Sequence, residues 1–192
     1  MTKTLLLLRH GKSSWKDKSL PDFKRPLKKR GEEASEEIGK ILKHKKLLPD
    51  VILTSPAKRA KSTAEIAAKE AGISKRVQEV DALYMAEVRN IFDALNGLEG
   101  NPDLVMVVGH NPGLEATLQM LSGHIESLPT GAMACLRLEV EDWKTLSLDT
   151  TSELVDFWNP EDDHKEDKKE DKKGDKKHDK KDDYKDDKKD KK

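Results

Sequence analysis

Short apolar runs alternate with amphipathic stretches along the first two-thirds of the chain. Leu5-Leu6-Leu7-Leu8, Val51-Ile52-Leu53 and the run over 104–108 are unbroken, which suits strands buried on both faces of a sheet. A shorter strand is predicted over 76–80. Between these runs the period becomes helical. Over 28–46, Ala34, Ile38, Ile41 and Leu42 share one face and charges cover the other. Gly31 weakens the first turn of that helix unless close packing requires it. Ala60, Ala64, Ala67, Ala68 and Ala71 give the next helix a thin side that can lie close to the sheet. Val88, Ile91, Phe92, Leu95 and Leu98 mark a helix over 87–99, and Leu114, Thr117, Leu118 and Leu121 mark another. Ser55-Pro56 and Asn111-Pro112 each read as an N-cap followed by a proline in the first turn. After residue 130 the pattern changes. Ala134, Leu136, Leu138 and Val140 alternate with Cys135, Arg137 and Glu139, predicting a half-exposed strand, with one or two more over 146–148 and 154–157. Strand and helix in this order predict an α/β fold: three layers, α/β/α, around a mainly parallel central sheet.

Composition divides the chain of 192 residues in two. Residues 161–192 hold 14 lysines and 14 acidic residues, with Tyr184 as their only hydrophobic side chain. Such a segment cannot bury enough surface to offset its ordering entropy, so it is expected to be a disordered, low-complexity tail. The folded domain is therefore expected over 1–160, long enough for one hydrophobic core. Basic and acidic residues balance at 37 each, with 23 of each in 1–160, so nothing argues for nucleic acid or an anionic membrane as partner. Cys135 is the single cysteine, which excludes an internal disulfide and suits a reducing compartment. The apolar run at 5–8 is too short for a signal core, and no stretch reaches transmembrane length. A soluble, cytoplasmic protein is expected.

The chemistry lies where the strands should end. Leu8 is followed by Arg9-His10-Gly11, Leu53 by Thr54-Ser55-Pro56-Ala57-Lys58-Arg59, and Val108 by Gly109-His110-Asn111-Pro112. Open α/β sheets bind ligands at the carboxyl ends of their strands. Phosphoryl transfer needs a nucleophile on one side of phosphorus and fixed positive donors around it. A neutral His10 can be that nucleophile if a backbone carbonyl fixes its tautomer. Arg9 and Arg59 offer planar forks for phosphate oxygens. A protonated His110 adds a donor, and Gly11 lets the backbone approach the ligand. A metal site is not expected, since no HxxxH or Asp-rich spacing accompanies the two histidines. Cys135-Leu136-Arg137 lacks the loop that a thiolate phosphatase needs.

These motifs, with Thr63-Ala64 after Arg59, Asp22-Phe23-Lys24-Arg25-Pro26-Leu27, Ala82-Leu83-Tyr84 and Leu154-Val155-Asp156-Phe157, resemble the histidine phosphatase superfamily, and within it the small SixA-type branch. The resemblance covers roughly residues 3–160. It implies a phosphoglycerate mutase-like fold without a large cap insertion. It implies a transient phosphohistidine on His10, with Arg9, Arg59 and His110 completing the pocket and no cofactor or metal. It implies a part for Ser13 and Arg25 in substrate binding, and a small residue at the position of Gly11, glycine or alanine. Larger members take a leaving-group acid from a separate segment; here either Asp81, followed by Glu79 and Glu87, is that acid or the small branch works without a dedicated one. A protein carrying phosphohistidine is the expected substrate, because the 50 residues between Arg59 and His110 leave little room for a cap. A small-molecule phosphatase or phosphomutase, or a non-catalytic phosphoprotein-binding module, are the alternatives.

Overall fold

The computed structural model describes residues 2–160. The expected disordered tail, 161–192, lies outside the described residues. One six-stranded sheet organises the chain, built from β1 (Lys3–Arg9), β2 (Val51–Thr54), β3 (Val77–Glu79), β4 (Leu104–Gly109), β5 (Met133–Leu138) and β6 (Ser152–Trp158) in the order β3-β2-β4-β1-β5-β6. The first four strands in sequence run parallel, and β5 and β6 are antiparallel additions.

Two helices cover each face. On one side α1 (Lys29–His44) and α2 (Lys58–Ala71) pack Ile38, Leu42 and the alanine stripe against Leu6, Leu8, Ile52, Met106 and Val108. On the other, α3 (Val88–Asn96) and α4 (Gly113–Ser122) pack Ile91, Leu95, Leu114 and Leu118 against Leu5, Leu7, Leu53, Val105 and Val107. The odd and even leucines of β1 thus serve opposite cores, and residues 5–8 are all fully buried. Among the described residues no large insertion interrupts this three-layer, phosphoglycerate mutase-like arrangement. Among the described residues no helix is long and apolar enough to cross a membrane.

Several local expectations are corrected. β5 is not half-exposed: Ala134, Leu136 and Leu138 face one core, Met133 and Cys135 the other, and only Arg137 is exposed. The small side chain of Cys135 packs where a polar outer face had been expected. Residues 146–148 form no strand, because the chain turns there after a 3₁₀ turn at Trp143–Thr145. α2 begins at Lys58 rather than at Pro56, and α4 begins at Gly113. Ser55 Oγ accepts the Ala57 amide at 3.3 Å ahead of the helix and also takes His110 Nε2, while Asn111 turns its amide nitrogen to the Leu128 carbonyl and its Oδ1 meets no amide, so neither residue caps its helix.

Gly31 does have a packing reason. A β-carbon on Gly31 would stand 2.3 Å from the carbonyl oxygen of Lys12, and one on Gly11 would stand 2.5 Å from that of Gly31. The first turn of α1 therefore lies directly on the turn after β1. Gly11 is needed for this backbone contact, and the expectation that alanine would fit there equally well is not met.

Candidate active site

Parallel register brings the strand ends together. Arg9 pairs with Gly109 across β1 and β4, and Thr54 pairs with Val108 across β2 and β4. The chain leaving β1 turns toward the α1 face and the chain leaving β4 toward the α4 face, which opens a crevice between them. His10 and His110 stand side by side in it, with ring centroids 5.0 Å apart and both residues buried.

The hydrogen bonds assign each imidazole a tautomer. His10 Nδ1 lies 2.8 Å from the Gly11 carbonyl oxygen, which can only accept, so Nδ1 carries the proton. Nε2 is left with its lone pair, and Arg59 Nε donates to it at 3.2 Å. Arg59 Nη2 stands 3.3 Å from His110 Nδ1, so that nitrogen accepts and His110 Nε2 donates to Ser55 Oγ at 2.9 Å. Burial lowers the His10 pKa to about 4; the Gly11 hydrogen bond opposes the shift and the charges of Arg59, Arg9 and Arg25 reinforce it. Burial, then His10 and Arg59, lower His110 to about 3. Both rings are therefore neutral near pH 7.

Arg59 is held from its far side. Nη1 donates to the Asp22 carbonyl oxygen at 2.8 Å, and Nη2 lies 3.0 Å from Asp22 Oδ2. The other Asp22 oxygen takes Arg25 Nη1 at 2.7 Å, and Tyr84 Oη donates to Oδ2 at 3.0 Å. Burial would raise the Asp22 carboxyl, but the hydrogen bonds from Arg25 and Tyr84 and the charge of Arg59 outweigh it and keep the pKa below the usual range. Arg25 Nη2 also donates to Ser13 Oγ, so the expected pair Ser13 and Arg25 meets here. Thr63, one turn into α2 from Arg59, accepts the Gly11 amide at 2.9 Å and donates to the Arg59 carbonyl at 2.8 Å. It ties the α2 turn that carries Arg59 to the turn that carries His10.

Arg9 stands apart from this cluster. Its Nη1 donates to the Leu128 carbonyl at 2.8 Å, beside Asn111 Nδ2 at 3.0 Å on the same oxygen, while Arg9 Nε is buried without a partner. Its charge nevertheless acts on both imidazoles.

The proposed acids do not join the cluster. Glu79 binds Lys61 at 2.7 Å, and Glu87 caps α3 with Asn90. Asp81 is exposed and opens a 3₁₀ turn, Asp81–Leu83, where its carbonyl accepts the Tyr84 amide at 3.1 Å. Burial pushes the Cys135 thiol up to about 11, far from thiolate chemistry. Sequence reasoning gave no separate role to Asp22, Ser55, Thr63 or Tyr84. Asp22 and Tyr84 lay within the motifs of resemblance, but the contacts joining them are long-range.

Residues 5–88 match the model of the histidine phosphatase superfamily (branch 1). An uncharacterized chloroplastic protein of Arabidopsis thaliana is 32% identical over 162 residues, 75% of this chain and 70% of that one. The chain belongs to the histidine phosphatase superfamily. Within this superfamily it resembles the SixA phosphohistidine phosphatase candidates of Nakamurella multipartitia (TM-score 0.73, 25% identity, 83% of this chain and 97% of that one) and Agrobacterium tumefaciens (TM-score 0.70, 28% identity, 82% and 98%). The fold, the family and these neighbours make it a phosphatase of the SixA-type branch. Phosphoglycerate mutase 1 of Saccharomyces cerevisiae is 42% identical over 71 residues, but these are 35% of this chain and 28% of the mutase.

Proposed function

We propose that this phosphatase removes phosphoryl groups from phosphohistidine on other proteins through a phosphoryl-imidazole on His10. The observation that carries the reading is the Nδ1 bond of His10 to Gly11. It leaves the Nε2 lone pair directed into the crevice, beside Arg59 and His110. An anion entering there takes over donors that Arg59 now gives to neutral imidazoles. Charge-assisted bonds to phosphoryl oxygens are the stronger use of them. Arg9 Nε, which has no partner, adds a further donor.

His10 Nε2 then attacks phosphorus as the bond to the substrate nitrogen breaks, and the substrate imidazole, already protonated from solvent on its other ring nitrogen, leaves as a neutral ring. A bound dianion offsets the burial that disfavours His110 imidazolium, so His110 becomes a donor as negative charge gathers. Water attacks the phosphoryl-imidazole in the second step, releasing phosphate and restoring neutral His10. Asp22 is held ionised by its arginines, so it orients Arg59 rather than delivering the proton. A phosphoramidate suits such a site because its nitrogen protonates readily. A protein substrate is supported by the residues between Arg59 and His110, which are taken up by α2, β3, α3, β4 and their turns, with no domain laid over the crevice.

The test compares wild type and His10→Ala on a phosphoramidate-phosphorylated protein and on an aryl phosphate. The variant is expected to lose both activities by a factor on the order of 10⁴ or more while remaining folded. Comparable activity in the variant removes His10 from the mechanism. Aryl esters turned over orders of magnitude faster than the phosphohistidine protein would overturn the substrate reading.

A further inference from the structure

Residues 12–28 form the segment between β1 and α1. Its two arms are joined by pairing of Ser13 with Leu27 and by a 2.9 Å bond from the Ser14 amide to the Pro26 carbonyl. Asp22 and Arg25 belong to the network that holds Arg59, but other side chains of the same segment are exposed. Trp15 is 66% exposed, with the Arg25 guanidinium 3.2 Å above its ring. Phe23 is 40% exposed and meets Tyr84 edge-on at 5.1 Å; Tyr84 in turn meets His110 edge-on at 5.8 Å. Met85, next to Tyr84, is 59% exposed. These contacts bring Trp15, through Arg25, and Phe23, through Tyr84, to the edge of one polar crevice, and Met85 follows Tyr84 in the chain. Apolar side chains left open around a polar crevice can meet an apolar group of a bound partner.

The same segment is strongly basic in a chain of zero net charge. Lys12, Lys16, Lys18, Lys24 and Lys28 are all exposed, and among the described residues none has a carboxylate partner. Asp22 is already engaged by Arg25 and Arg59, which leaves Asp17 as the only other acid in the segment. A free phosphate ester would engage the crevice and leave the rings and lysines in water.

We propose that this rim docks an acidic protein segment that presents the phosphorylated side chain beside an apolar residue. The lysines meet the acidic groups, and Trp15, Phe23 and Met85 meet the apolar one. Nucleic acid is disfavoured because its internal phosphates are diesters, whereas the crevice admits a terminal phosphoryl group. The identity of that group rests on the phosphohistidine reading; the charge and apolar character of the partner do not.

The experiment uses the full chain and two synthetic phosphohistidine peptides, each with leucine beside the phosphorylated residue, one flanked by glutamates and the other by lysines. Both cleavage and inhibition of aryl phosphate turnover are measured. The acidic peptide is expected to be favoured by about tenfold, chiefly in KM, with the preference shrinking in high salt. The K16E/K18E/K24E variant should lose the preference and keep its aryl phosphate turnover, which also reports that it is folded. Equal KM values for the two peptides would overturn the rim while leaving the chemistry standing. Selective inhibition by the acidic peptide without cleavage of either would uphold the rim and overturn the phosphohistidine reading. An unphosphorylated single-stranded oligonucleotide inhibiting as strongly as the acidic peptide, or no inhibition by either peptide, would overturn the rim.

Discussion

At the floor of the crevice His10, Ser55, Arg59, Thr63 and His110 are buried and bonded to one another or to backbone, whereas at its rim Trp15, Phe23 and Met85 lie open to solvent. The floor stands on the ends of parallel strands and the first turns of α2. Buried polar groups there must satisfy one another, so each contact constrains the next. The rim belongs to irregular segments and carries few such constraints. The rim can therefore be altered with little effect on the floor, except at Asp22, which bonds to both Arg25 and Arg59, and at Tyr84, which meets both Phe23 and His110.

Arg59→Lys should produce the largest effect of the substitutions that test this division. Lysine keeps the charge but loses the fork that reaches His10, His110 and Asp22 together. A fall of about 10²–10³ in kcat/KM is expected on protein and aryl phosphate alike. A loss confined to the protein substrate would move Arg59 from floor to rim.

Asp22→Asn keeps the shape and removes the charge that orients Arg59. A drop of roughly tenfold in kcat on both substrates is expected, because the misplacement acts through the pocket. An effect in KM for the protein substrate alone would assign Asp22 to docking.

Gly11→Ala tests the backbone contact beneath the floor. The added methyl would press on the Gly31 carbonyl, so a loss of about 1–3 kcal/mol is expected in denaturant unfolding. Unchanged stability would show that the start of α1 can yield.

The smallest expected change is in the response to pH. Histidine NMR should show His10 and His110 still neutral between pH 5 and 8, with His10 taking its proton only near pH 4. From 6.5 downward the unfolded chain binds protons that these rings refuse in the folded state. Their contribution to stability is therefore complete above about 6.5 and falls as pH drops toward 4. Either ring titrating near 6.5 in the free protein would mean that the floor is wet like the rim.

Much of this architecture was legible along the chain. The unbroken apolar runs of β1 and β4 announced strands covered on both sides. The alanine stripe announced a helix lying close to its neighbours, and the charged residues after each run marked the crevice. The half-exposed reading of β5 failed because Cys135 and Arg137 look alike to a period-two pattern, and only the packing below Cys135 separates them. Ser55-Pro56 and Asn111-Pro112 read as helix starts because a serine or asparagine before proline makes the same local offer wherever the helix begins, and both helices begin later, at Lys58 and Gly113. Ser55 Oγ serves both the Ala57 amide and His110, and Asn111 reaches the Leu128 carbonyl through its nitrogen.

Local order in the sequence determined which strands and helices form and which reactive residues stand at their ends, because periodicity and chain punctuation act over a few residues. The tertiary structure alone decided that Asp22 and Tyr84 would stand behind Arg59, that Thr63 would hold the Gly11 amide, and that Gly31 would press on the turn after β1. Those contacts join residues 19 to 62 positions apart, and no local pattern encodes a partner that only the folding of the sheet brings near.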